Sequence, residues 1–131
     1  SSGIRWHNGG DVTTGATGAA IGAGSTNTDT IITAQGATET DYAAGLARAY
    51  TDGSYTDWFL PSKDELNKMY LNRETINTTA AANGGSDLST FSYWSSTELV
   101  DDSASIQNFD GGAQELAIKV GSNVVRAVRA F

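Results

Sequence analysis

Apolar residues along this chain follow two different periods. In the first part they recur three and four apart, the spacing that lines one face of a helix. From Asp41 to Tyr50, the residues Tyr42, Leu46 and Ala49 or Tyr50 stand at i, i+4 and i+7 or i+8. This predicts a helix burying that stripe, closed by a turn at Asp52-Gly53. Further on, Leu66, Met69 and Tyr70 follow Pro61-Ser62-Lys63-Asp64-Glu65. A serine at the cap accepts from the amide three residues on, and a glutamate there accepts from the serine amide. This capping box predicts a helix over 62–73. A shorter helix is predicted over 29–35, with Thr26 or Asn27 as its cap, Asp29 in its first turn and Gly36 just past its end.

After Asn83-Gly84-Gly85 the period shortens. The aromatic and hydroxyl-rich run 91–97 suits a strand. Residues 106–109 lead into Asp110-Gly111-Gly112, a hairpin signal, beyond which Leu116, Ile118 and Val120 alternate with Glu115, Ala117 and Lys119. The alternation predicts that the aliphatic triplet faces the core and the other three face water. Gly121-Ser122-Asn123 turns the chain into 124–131, which reads as a buried last strand. Residues 1–27 show neither period, so a long structured loop is predicted there. Their glycine tract lacks the Gly-Lys-Ser/Thr sequence and the preceding strand of a phosphate loop. Two main helices and a short one, packed on a mainly antiparallel sheet, make an α+β fold.

With 131 residues the chain is expected to form a single domain over 1–131. It has no cysteine and one histidine, which excludes disulfide frameworks, thiolate metal sites, cysteine nucleophiles and a three-histidine zinc site. Eight basic residues against fifteen acidic ones give a net charge of −7. The cations Arg5, Arg48, Lys63, Lys68, Arg73, Lys119, Arg126 and Arg129 are dispersed, so no nucleic-acid partner is expected. No apolar run approaches the ~20 residues that span a bilayer, and membrane insertion is not expected either. Opening on Ser1-Ser2-Gly3, the sequence reads as a piece of something longer. Only 18% of residues are charged, against about 25% in typical soluble domains, and Gly, Ser, Thr and Asn fill the difference. That composition points to an extracellular bacterial or phage surface domain, and three Trp, five Tyr and four Phe argue against disorder.

Three ordered blocks carry a resemblance. They are Asp57-Trp58-Phe59-Leu60-Pro61-Ser62-Lys63-Asp64-Glu65-Leu66, Tyr93-Trp94-Ser95-Ser96-Thr97-Glu98 and Val125-Arg126-Ala127-Val128-Arg129-Ala130-Phe131. Together with the tract from Ile21 to Asp29 they are similar to the C-terminal domain family of the Legionella collagen-like adhesin. The resemblance implies a C-type-lectin-like fold and a module at the tip of a collagen-like stalk on the bacterial surface. It also implies a homotrimer binding sulfated glycosaminoglycans of the host.

A sulfated glycan needs guanidinium and ammonium groups, which meet anionic oxygens through charge-assisted hydrogen bonds. Lys68 and Arg73 are predicted to project away from the Leu66/Met69/Tyr70 stripe as neighbours. Arg126 and Arg129 fall on opposite faces by strand parity, at least one of them paired with an acid. The candidate ligand-binding residues are therefore Arg48, Lys68 and Arg73, followed by Lys119 and Arg126. Trp58, Tyr93 and Trp94 are expected in the core, Trp6 is the freer stacking candidate, and His7 reads as a surface residue. Asp101-Asp102 and Asn108-x-Asp110 do not make the dense oxygen loop that calcium requires, and the sugar-binding Glu-Pro-Asn triplet is absent. No metal and no cofactor are expected. No Gly-x-Ser-x-Gly elbow occurs, and the expectation is a binding protein rather than an enzyme. The alternatives are a display module for a protein receptor and, behind it, a two-carboxylate glycosidase.

Overall fold

The computed structural model describes residues 3–36, 39–51 and 53–130. Among them are helices α1 (Gly24–Gln35), α2 (Ala43–Ala49), α3 (Lys63–Leu71) and α4 (Arg73–Ala82), with a 3-10 turn at Glu39–Asp41. Strands β1 (Ser92–Val100), β2 (Ser103–Asn108) and β3 (Gln114–Ile118) form one antiparallel sheet in the order β1-β2-β3. The α+β class read from the two periods is the one the chain adopts. No helix among the described residues is long and apolar enough to cross a membrane. Asp52 of the predicted Asp52-Gly53 turn and the terminal Phe131 lie outside the described residues.

The sheet acts as a partition, because successive residues of a strand point to opposite sides. Trp94 joins Trp6, Ile31, Tyr42, Leu60 and Ile106 on the face covered by α1 and α2. Its neighbour Tyr93 joins Leu66, Leu88 and Phe109 on the face covered by α3, with Ile76 of α4 packed alongside. Beyond Trp94 the β1–β2 register shifts and β1 bonds elsewhere: the Ser96 amide donates to the Pro61 carbonyl at 2.8 Å and the Glu98 amide to that of Ala16 at 2.8 Å. On the other flank, Val124 bridges Tyr93 in parallel and Val128 bridges Phe59 antiparallel. The three sequence blocks, far apart in the chain, thus meet around β1.

The helix over 62–73 begins as its cap predicts. Ser62 accepts from the Glu65 amide at 3.3 Å, and Glu65 accepts from the Ser62 amide at 2.7 Å. It ends at Leu71, however, and the chain continues into α4, which the sequence does not announce because RETINTTAAA has no apolar stripe and no buried residue. The helix predicted over 29–35 starts five residues earlier, at Gly24, with no side-chain cap. Asn27 instead clamps the glycine tract, accepting from the Gly18 amide at 3.2 Å and donating to its carbonyl at 2.6 Å. Gly24 fits because its bare Cα abuts the Phe59 ring, the Leu60 carbonyl and the Glu65 carboxylate.

Two predicted stripes are corrected. Tyr42, just before α2, is buried as predicted, but Leu46 and, just past the helix, Tyr50 face outward, whereas Ala43, Ala44, Gly45 and Ala47 are buried, so close approach of small side chains wins over the bulk of leucine. Leu116 and Ile118 in β3, and Val120 just past it, are more than half exposed. Pairing Ala104 with Ala117 turns the opposite parity toward the core. The segment after Asn123 is half-buried and pairs at isolated bridges rather than as a buried strand.

Candidate ligand-binding site

The half-buried final segment forms the floor of a cleft of about 910 Å³. Its course is fixed at three points. Asn123 exchanges backbone bonds of 2.9 and 3.1 Å with Ile4, Val124 sits beside β1, and Val128 exchanges bonds of 2.8 and 3.0 Å with Phe59. One wall is aromatic: Tyr50 and Trp58 meet edge to face at 4.8 Å, and Tyr55 stands nearby. Another wall is the connection after α4, including Asp87. That wall is tied down by the Leu88 amide on Asn77 Oδ1 at 2.7 Å and the Ser89 amide on the Tyr93 hydroxyl at 2.9 Å. A smaller depression of about 300 Å³ adjoins it across Met69, Ile76, Val128 and Arg129, and contains Lys68. The two share these four lining residues and are referred to together as the groove.

Arg126 and Arg129 both line the larger cleft. Strand parity placed them on opposite faces, and it fails because, among the described residues, this segment pairs through isolated bridges at Asn123, Val124 and Val128 rather than along a continuous ladder. Arg129 is the arginine paired with an acid. Its Nε and Nη2 donate to the Asp57 carboxylate at 2.8 and 3.2 Å, and its guanidinium lies 3.6 Å above the Tyr55 ring. The same guanidinium holds the Asp57 carboxyl below the usual carboxylate range. Arg126 is half-buried and has neither a carboxylate partner nor a hydrogen-bond acceptor for its side chain among the described residues. Lys68 is exposed and likewise unpaired among them.

The other proposed cations lie elsewhere. Arg48 cross-links α2 to α1, donating to Asp29 at 2.7 Å and to the Ser25 carbonyl at 3.2 Å. Arg73 does not project away from its helix face; it folds back over the Tyr70 ring at 4.2 Å and donates to the Tyr70 carbonyl at 2.9 Å. Lys119 is the clearest correction, since it is fully buried and its ammonium cannot meet a surface ligand. It donates to Glu98 at 2.5 Å and to the carbonyls of Asp101 and Val12 at 2.6 and 3.0 Å, above the Trp6 ring. Glu98 in turn accepts from the Thr14 and Gly15 amides. Burial pushes the Glu98 carboxyl up, but Lys119 and those two amides more than offset it and hold it below its ordinary 4.5.

Among the aromatics, Tyr93 and Trp94 are core as expected, whereas Trp58 faces the cleft. Trp6 is not free: it is fully buried and its indole donates to the Ser95 carbonyl at 2.9 Å. His7 is 5% exposed, accepting from the Gly9 amide on Nδ1 at 3.0 Å. Sequence reasoning missed Tyr50, Tyr55 and Arg129. The available signal was three aromatics crowded around a Gly-containing turn at 50–58. No group of three or more acidic or histidine side chains among the described residues is placed to hold a metal ion. What the groove offers chemically is aromatic surface beside cations, a binding arrangement.

Residues 1–129 match the model of the family described as the Lcl C-terminal domain. No curated protein matches the chain.

Proposed function

The chain belongs to the Lcl C-terminal domain family, and from that premise we propose that it is a surface-displayed adhesin module, extracellular and non-catalytic, that binds anionic polysaccharide of the host, sulfated glycosaminoglycans foremost. Family membership is consistent with an adhesin-type surface module. The observation that carries the ligand reading is Arg126: a half-buried guanidinium in an aromatic-walled cleft, with no internal carboxylate to neutralise it among the described residues. Such a group, lining an open cleft with no internal partner among the described residues, is placed to meet an anionic ligand through charge-assisted hydrogen bonds. Lys68 continues the cationic line in the adjoining depression. On this reading the scaffold is C-type-lectin-like and the module works as a homotrimer. Weak individual sites then gain strength from simultaneous engagement of one long chain.

The test is retention on immobilised heparin near 0.1 M salt. Retention that falls as salt rises, and falls further in Lys68→Gln, supports the proposal; passage through the column unretained refutes it. The row of exposed Leu116, Ile118 and Val120 along the outer edge of the sheet favours a second reading, a display module for a protein receptor. Capture of a protein partner that survives high salt and is lost in Ile118→Lys distinguishes it.

A further inference from the structure

The larger half of the groove has a more specific character than an electrostatic patch. It contains two arginines, and Arg129 is committed to Asp57 through two contacts. Lys68 lies in the adjoining depression, not in this cleft. Among the described residues one uncommitted cation therefore remains in it, Arg126, and the same lining carries the acidic Asp87. A cleft so charged suits a single negative charge better than a run of them. Its volume of about 910 Å³ falls within the range of sites that enclose small ligands. Tyr50 and Tyr55 are about half exposed, 49% and 48%, and offer ring surface to an apolar face. The Trp58 indole N–H is buried and has no acceptor among the described residues, so its resonance reports on any rearrangement of this wall.

Resting on the reading of the groove as a saccharide site, we propose that this cleft is a subsite for one carboxylate-bearing sugar, a uronic acid unit, held by its carboxylate on Arg126 and by its ring against the Tyr50/Trp58 wall. The planar guanidinium fork matches the two coplanar oxygens of a carboxylate. A sulfate ester presents three oxygens in a cone. Two of them fit the fork, and the third is left without a cation in a cleft that has none to spare. Sulfates on neighbouring sugars then fall to Lys68 in the adjoining depression.

The experiment is titration of the full chain with three probes: an unsulfated oligogalacturonate, dextran sulfate, and uncharged dextran. The oligogalacturonate is expected to bind and to shift the Trp58 indole N–H resonance. Arg126→Gln is expected to weaken it about tenfold or more, the loss of a charge-assisted pair. Arg126→Lys should recover only part of the loss, because it restores charge without the fork. If dextran sulfate binds while the oligogalacturonate behaves like dextran, the uronate subsite is wrong and the polyanion groove stands. If neither charged probe binds, both readings fall. An unmoved Trp58 resonance in the wild-type chain at saturating oligogalacturonate also overturns the subsite, whatever the variants do to folding.

Discussion

At Lys119 and Glu98, two charges are removed from water and returned to each other with backbone carbonyls and amides filling their remaining positions. Removing one partner of such a buried pair strands the other, which costs roughly 3–5 kcal/mol. Lys119→Met is therefore expected to lower urea-unfolding stability by about that amount, and adding Glu98→Gln should recover part of it. The carboxyl of Glu98 also sets an acid limb. Its folded pKa lies below the ordinary value, so its contribution to stability is complete above that value and is lost as pH falls through the folded one. Stability measured from pH 6 down to pH 3 should fall less steeply in Glu98→Gln than in the wild type. None of this was legible locally. A lysine in an alternating run reads as solvated, and its partner stands 21 residues earlier in the sequence. A cluster of backbone carbonyls awaiting an ammonium leaves no mark on the sequence.

At the scale of elements, what could be read was what the chain decides within a few neighbours. The Ser62/Glu65 box needs only three residues of separation, and it forms as predicted. Strand parity is different, because a face becomes interior only when a partner strand supplies the other half. The pairing of Ala104 with Ala117 and of Ser103 with Ile118 decides it for β3. Ile118→Lys is accordingly expected to change stability by no more than about 0.5 kcal/mol. Ala117→Asp, directed at the core, should cost about 1–3 kcal/mol by burying a charge in apolar surroundings. Equal effects in chemical denaturation would reverse the assignment of faces. Helix α4 escaped detection for the complementary reason: with no buried residue, it carries no apolar stripe to find.

Across the whole molecule, the groove arises where the connection at 50–58, the connection at 84–89 and the final segment come together, and their mutual distances exist only after the sheet has formed. The residues of the site were individually visible, Trp58 and Arg126 within the family-like blocks, but their meeting was not. Scale also governs how a polyanion approaches. The chain carries a net −7, and at 0.01 M salt the screening length is about 30 Å, so the ligand feels the whole domain; at 0.15 M it is about 8 Å, and the ligand feels mainly nearby cations. Heparin affinity is therefore expected to pass through a maximum with rising salt rather than fall steadily from the lowest concentration. A steady decline would mean that the groove dominates the far field as well.

The partition made by β1 has a consequence for how such a module diversifies. Tyr50, Tyr55 and Asp87 stand on cleft walls and belong to neither apolar cluster. Substitutions there alter what the cleft presents while the folding information, carried behind the sheet by Trp6, Trp94 and their neighbours, stays untouched. On the proposed reading, the lining can be rewritten for a different ligand while the scaffold behind it is kept.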